Sequence, residues 1–285
     1  MKTIAITGAS GFVGQYITKV FTEQGYVVVP ILRADIHDLN KLQTKLEQSD
    51  VLINLAGANI IGRWSASYKK VLYDSRIETT NALVKGMKLI DNPPKLFIST
   101  SAVGIYKNDK LYDEYSTNYA DNFLGNLVDD WEDEANKVKE LGVRVAILRF
   151  GIVLGKEGGA LQKMLTPFKL GVGGIIGDGK QAFSFIHIDD LARFYLHLID
   201  NQALEGVYNM TTTKPTTNYG LTKALGKVLK RPTFLPLPTF VLQLIYGEGA
   251  TVLTDGQSVI PKRVLESGFK FKFEEIDEVL EDLLK

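Results

Sequence analysis

The chain has 285 residues, 45% of them hydrophobic, with 33 Lys plus Arg balanced by 33 Asp plus Glu and no cysteine. That composition suits one large α/β domain, or a domain with a smaller lobe, and a formal charge of zero gives no footing for nucleic acid or an anionic membrane. Without cysteine there are no disulfides, thiolate metal sites or cysteine nucleophiles; with no apolar run near the ~20 residues of a span and Met1-Lys2 leading directly into a strand, the expectation is a cytoplasmic protein without signal peptide or membrane segment.

The first predicted element is a short apolar strand around Ile4, Ala5 and Ile6, of the kind buried on both faces. It runs into Thr7-Gly-Ala-Ser-Gly-Phe-Val-Gly14 and an amphipathic helix from Phe12 to Phe21. Strand, glycine turn and helix in that order form a dinucleotide cradle. Gly8 permits the tight turn, Gly11 lets the backbone approach a pyrophosphate, and Gly14 lets the helix lie close. The helix start, with Ser10, Phe12 and Val13, offers unpaired N–H groups and partial positive charge to phosphate.

Tyr26–Arg33 reads as a second strand, with Pro30 pointing to a bulge or a strand end. Where NAD-selective sites place an acid for the adenosine 2′-hydroxyl, this chain has Leu32 and Arg33. A guanidinium suits a 2′-phosphate, which reads as NADP(H); the plainer reading of Arg33 is a solvated strand end. Asp35 is placed either to accept from the adenine amine or as a turn residue. Asp38 is the expected N-cap of a helix over Leu39–Gln48.

Asp50–Gly57 is the next buried strand, and its small carboxyl end, Leu55, Ala56 and Gly57, leaves room for ribose and pyrophosphate. A helix runs from about Ser67 to Ile90 and carries Arg76, a phosphate contact or a surface residue. Pro93-Pro94 ends it, and Lys95–Ser101 is a strand closing in the hydroxyls of Ser99, Thr100 and Ser101. A polar, turn-rich stretch precedes a helix over Asn122–Leu141 and an apolar strand over Val143–Arg149. Glycines then crowd Gly151–Gly179, with one short helix near Ala160–Leu165. Phe185–Asp190 leads into a helix capped by Asp189 or Asp190, and short strands and helices alternate to the end.

These motifs, with Asn54-Leu-Ala-Gly57, Ser99-Thr-Ser-Ala102 and Ile186-His-Ile-Asp-Asp190, make the chain resemble an extended short-chain dehydrogenase/reductase. Arg63-Trp64, Asp74–Thr80, Trp131-Glu132, Arg149–Gly155, Gly158–Leu161 and Gly268–Phe271 bring it nearer to the atypical, epimerase-like branch. The resemblance implies an α/β Rossmann-type fold, a doubly wound parallel sheet, that binds NADP(H); the shift in composition after residue 150 places the NADP(H)-binding domain in residues 1–150 and a smaller, interleaved substrate lobe in 151–285. Ile152 would meet the cofactor beside the motif residues already named. By analogy with extended members, the chain would be a monomer or a homodimer.

The ordinary reductases of this superfamily follow the serine with Tyr-x-x-x-Lys on a helix about two dozen residues on, the lysine tuning the phenol for proton exchange. Ser101 has the serine's place, but the expected helix reads Phe123-Leu-Gly-Asn-Leu-Val128. Tyr106 to Lys110 falls in a loop, and Tyr219 to Lys223 comes far too late in the chain. The candidate catalytic residues are therefore Ser101, to orient the substrate oxygen, and the carboxylates Glu114 and Glu132. Gln181, Ser184 and His187 suggest a substrate wall, His187 equally a structural histidine. Gly174–Lys180 mimics a phosphate loop but lacks the following Ser or Thr and the preceding strand. His37, His187 and His197 have no metal-ligand spacing.

Two functions fit. One is an NADP(H)-dependent oxidoreductase or epimerase acting on an unidentified small carbonyl or alcohol, sugar-like compounds included. The other is a non-catalytic NADP(H) sensor.

Overall fold

The computed structural model describes residues 2–285. Six parallel strands form the central sheet: β1 (Thr3–Thr7), β2 (Val27–Ile31), β3 (Val51–Asn54), β4 (Leu96–Ala102), β6 (Arg144–Phe150) and β10 (Gly206–Met210). Their spatial order is β10-β6-β4-β3-β1-β2. Strand order reverses beside β1, so the β1–β3 gap is the switch point at which α/β sheets bind ligands. Among the described residues no strand lies beyond β2. Pro30 is accommodated because β2 is an edge strand, bonded to β1 alone in register Ile6 to Pro30.

Each central strand alternates its side chains between two cores. Ile4 and Ile6 join Ile17 and Phe21 of α1 (Phe12–Glu23) and Leu191, Phe194 and Leu198 of α7 (Ile188–Asp200). Ala5 and Leu52 face Leu42 and Leu46 of α3 (Leu39–Glu47) and Leu83 and Met87 of α4 (Ala66–Lys88). Ala135 of α5 (Phe123–Asn136) completes that second core. The inner strands β1, β3, β4 and β6 are buried on both faces, which is why they read as apolar runs rather than as alternating ones; the edge strand β2 is partly exposed.

Short pairings fasten the remainder: β5 (Leu111–Tyr112) with β12 (Ser258–Val259), β7 (Ile152–Gly155) with β9 (Phe185–His187), and β8 (Ala182–Phe183) with β11 (Thr216–Thr217). A third core unites α6 (Gly159–Lys169), α8 (Asn218–Leu229) and α12 (Ile276–Leu284) around Phe168, Leu221, Leu225 and Leu280. Because β10 and α7 serve the central sheet, the segment after residue 150 contributes to both bodies. Three glycines in it are explained by packing. A Cβ on Gly155, Gly158 or Gly159 would stand 2.6–2.8 Å from the Phe12 ring, so this segment grips the start of α1.

Capping follows the sequence at Asp38, whose side chain accepts from the Lys41 N–H at 3.2 Å. It departs at α7. The cap there is His187, whose Nδ1 accepts from the Asp189 N–H at 3.0 Å, neither Asp189 nor Asp190. Asp190 instead accepts from the Lys272 and Phe273 N–H groups and pairs with Arg193, tying the C-terminal segment to α7. Among the described residues no helix is long and apolar enough to cross a membrane, and no cluster of His, Asp and Glu could hold a metal ion.

Candidate functional site

A single cavity of about 980 Å³ follows the carboxyl ends of β1, β3 and β4 and continues under the lobe. Its first wall is the glycine turn. Gly8 has φ +68°, and a Cβ there would lie 2.8 Å from the Leu55 carbonyl. A Cβ on Gly14 would lie 2.2 Å from the Gly8 oxygen. Gly11, the N-cap of α1, is met only by the Gly8 oxygen at 3.2 Å and leaves the helix start without a side-chain cap. The free N–H groups of α1 and the missing side chains together fit a pyrophosphate.

The second wall is the end of β3. The Thr7 hydroxyl donates to Asn54 Oδ1 at 2.6 Å and accepts from the Leu55 and Ala56 N–H groups at 3.1 and 3.2 Å. Asn54 Nδ2 donates to the Thr80 hydroxyl, which also accepts from the Trp131 indole at 3.0 Å. This buried ladder fixes Leu55, Ala56 and Gly57 along the cavity. Below Gly57 lies Arg76, whose guanidinium donates to the Leu72 and Ala58 carbonyls and sits 5.3 Å from the Trp131 ring. Burial pulls its pKa down to about 10, and no carboxylate pairs with it among the described residues. It is a cation held ready inside the wall rather than a surface residue.

At the end of β4, Thr100 and Ser101 reach the cavity, with Ile152 opposite. Ser101 and Arg149 are register partners across β4 and β6, and Glu132 of α5 packs between them. The Ser101 hydroxyl donates to Glu132 Oε1. Arg149 grips both oxygens of Glu132 at 2.7 Å and donates further to the Tyr106 and Tyr119 hydroxyls at 2.7 and 3.0 Å. Burial alone would lower the Arg149 pKa, but the bonds and charge of Glu132 hold it above its ordinary value. With its own hydrogen held by Glu132, Ser101 can turn only acceptor lone pairs toward a ligand.

Several sequence expectations are corrected here. Glu132 does not line the cavity, and both its oxygens are taken by Ser101 and Arg149, so neither is free for a ligand. Glu114 is also outside the cavity, accepting from the Asn209 and Arg263 N–H groups at 2.9 and 3.2 Å, where burial raises its pKa. It is a strut between the loop before α5 and the C-terminal segment. His187 is buried, stacked on Phe273 at 4.0 Å, with Nε2 3.2 Å from Asp282. Burial lowers its pKa, and as the cap of α7 it is the structural histidine of the two readings. Asp35 is the local, turn-type residue of its pair of readings. Its Oδ2 accepts from the Leu32 N–H at 2.7 Å and pairs with Lys45 at 2.6 Å, so it is closed to an adenine.

Gln181 and Ser184 do line the cavity, but Ser184 is engaged by the protein. Its hydroxyl donates to the Gln257 carbonyl and accepts from the Val259 N–H. Ser10, Leu32 and Arg33 lie outside the cavity wall and are exposed, Arg33 opening the four-residue helix α2 (Arg33–Ile36) at the end of β2. Tyr106 is buried between Arg149 and Asn209, and Tyr219 is not part of the cavity, so neither Tyr-x-x-x-Lys string serves it. The place of the usual pair on α5 is apolar wall: Phe123, Leu124, Leu127 and Val128.

The far end of the cavity was not legible in the sequence. Trp64, packed edge-on to Phe123 at 5.3 Å, faces Phe168 of α6 and Leu237, Leu242 and Tyr246 on and before α9 (Thr239–Tyr246). One signal was available. Thr239–Tyr246 is too apolar for a helix with an ordinary solvent face; Leu242 and Tyr246 line the chamber, while Phe240, Leu244 and Ile245 stay exposed.

Residues 4–211 match the NAD dependent epimerase/dehydratase family, and residues 237–283 match a domain of unknown function, DUF1731. The chain is 36% identical to the mouse (Mus musculus) epimerase family protein SDR39U1, covering 99% of each. It is also 36% identical to the Staphylococcus aureus (strain N315) epimerase family protein SA0724 over the whole of both. The crystal structure of human epimerase family protein SDR39U1 with NADPH superimposes with a TM-score of 0.90 at 33% identity, covering 99% of this chain and 98% of that one.

Proposed function

The chain belongs to the NAD dependent epimerase/dehydratase family, and from that premise we propose that it binds NADP(H) along the β1–β3 switch point. We further propose that it transfers hydride to or from a carbonyl or carbinol carbon of a small molecule. The observation that carries this reading is the continuity of the cavity, which joins the glycine turn to Ser101 and then to a closed-in chamber. A protein that only bound the dinucleotide would have no use for the chamber.

Gly8, Gly11, Gly14 and the start of α1 would hold the pyrophosphate, Leu55, Ala56 and Gly57 the ribose, and Thr100 and Ile152 the nicotinamide side. When bound, the cofactor supplies or accepts a hydride. Ser101 accepts a hydrogen bond from the substrate hydroxyl and so fixes the carbinol carbon, while Glu132 and Arg149 fix Ser101. The geometry of the acceptor favours the alcohol form of the substrate. No Tyr/Lys pair serves proton exchange, because Tyr246 and Lys163 are the cavity's only tyrosine and lysine among the described residues and stand on separate helices.

Arg33 is exposed at the end of β2, free of any ion pair among the described residues, and we assign it to the adenosine 2′-phosphate. Arg33→Ala should raise the Kd for NADPH about tenfold, the worth of one charge-assisted contact, and leave NADH binding unchanged. Titration calorimetry with both nucleotides reads this directly, and equal losses for the two would remove Arg33 from the phosphate site.

The activity is tested by loading the protein with NADPH deuterated at either face of nicotinamide C4 and adding a metabolite extract. A deuterated small molecule in the mass spectrum is expected. The apolar wall where a Tyr/Lys pair would stand gives the sensor reading its one support. That reading takes over if NADPH binds and no label moves on either face and no hydrogen exchanges within any extract component.

A further inference from the structure

We propose that the chamber beyond Ser101 receives a substrate with an apolar body, an aliphatic or aromatic chain bearing the reacting hydroxyl or carbonyl, rather than a nucleotide sugar. This names the substrate class of the hydride-transfer site above and rests on that reading. A nucleotide sugar brings a diphosphate and a ring of hydroxyls into the site, and each buried polar group needs a partner.

The chamber provides few. Its walls are Trp64, Phe123, Phe168, Leu237, Leu242 and Val252. The Trp64 indole N–H is already given to the Ile60 carbonyl at 3.0 Å. Three of the polar side chains nearby serve the protein: Ser184 as described, Gln181 Nε2 on the Ile176 carbonyl at 3.2 Å, and Asn218 Oδ1 on the Ile176 N–H at 2.9 Å; Thr222, Tyr246 and Gln257 are further neutral polar side chains toward this end of the cavity. Charge is equally unsuited to a diphosphate. Arg76 and Lys163 are the only basic residues lining the cavity among the described residues, and Arg76 belongs to the cofactor end under Gly57. The acids Glu248 and Asp255 also line it, Glu248 held by Lys69 at 2.6 Å.

The entrance repeats the chemistry of the interior. Val172 and Pro236 are both exposed and part of the wall, and Leu170, Phe234 and Leu235 beside them in the chain are exposed as well, Phe234 to 74%. An apolar chain entering there exchanges water for hydrocarbon along its whole path.

The test measures binding of straight-chain primary alcohols, hexanol to decanol, to the NADP⁺-loaded protein by tryptophan fluorescence. Both tryptophans, Trp64 and Trp131, line the cavity. Affinity should rise about fourfold per added methylene, the gain from burying one CH₂. Leu242→Lys, in the wall, should flatten this dependence while NADPH still binds; Leu242→Met should preserve it. Leu244→Ser, on the exposed face of α9, should leave it unchanged, which separates the chamber from adsorption to the surface. UDP-glucose should not bind saturably. A flat chain-length series, or saturable UDP-glucose binding in its place, overturns the proposal. A rising series with no deuteride transfer to any compound would keep the chamber's chemistry and remove the catalytic reading instead.

Discussion

Glu132→Ala should be the most destabilising single substitution in the site, by about 3–5 kcal/mol, because it strands a charged guanidinium in the core. Arg149 is 1% exposed, and Glu132 is its only anionic partner among the described residues. For a chain of this length the loss corresponds to a fall in Tm of roughly 5–8 °C, read by calorimetry. The double variant Glu132→Leu with Arg149→Met should recover most of it, since a buried ion pair and a packed apolar pair of similar volume are close in free energy. The hydroxyls of Tyr106 and Tyr119 lose a donor in that variant, but Tyr106 retains its bond to Asn209. Recovery of Tm would not bring recovery of turnover. With Glu132 gone the Ser101 hydrogen is no longer held away from the cavity, so NADPH affinity should stay while hydride transfer falls by about a hundredfold, the scale of a misplaced substrate. A double variant as slow as expected but as unstable as Glu132→Ala would mean that the network stabilises by shape and not by charge neutralisation.

That network shows where sequence reasoning stops. Ser101, Glu132 and Arg149 each stood in a motif, but nothing in the spacing of a strand end, a helix and a second strand said that they meet. Their meeting depends on β4 and β6 being neighbours in a register that sets Ser101 beside Arg149, with α5 laid over that face. The local elements were readable because local physics decides them. Apolar runs become strands buried on both faces, Asp38 caps the helix it precedes, and Pro93-Pro94 follow a helix that ends at Lys88. Long-range partners decide the rest. Glu114 and His187 had the residue types of catalysis, yet Asn209, Arg263, Phe273 and Asp282, all distant in the chain, claim them for structure. Pro30 hinted at a strand end, but that β2 is the sheet's edge follows from which strand is absent beyond it. The chamber was hidden for the same reason, being assembled from the segment around Trp64, α5, α6 and α9.

The glycine turn makes a graded prediction, because its three glycines differ in what a methyl group would strike. Gly14→Ala places Cβ 2.2 Å from the Gly8 oxygen, which is backbone and cannot turn aside. The turn must move, at a cost of about 1–3 kcal/mol in stability, and the cradle moves with it, so the Kd for NADPH should rise by roughly a hundredfold. Gly11→Ala meets only the same oxygen at 3.2 Å, a contact that a small shift relieves. Its stability should change by less than about 1 kcal/mol, yet the new methyl occupies the approach to the pyrophosphate and should weaken NADPH about tenfold. Gly25→Ala is the control. Its φ of +82° costs a side chain about 1–2 kcal/mol, with no atom within 4 Å, so stability should fall and NADPH affinity should not. Stability and affinity thus separate in opposite senses at Gly11 and Gly25 and fall together at Gly14. If Gly11→Ala binds NADPH as well as the unaltered protein does, the pyrophosphate does not lie against this turn, and the placement of the cofactor along the β1–β3 switch point fails with it.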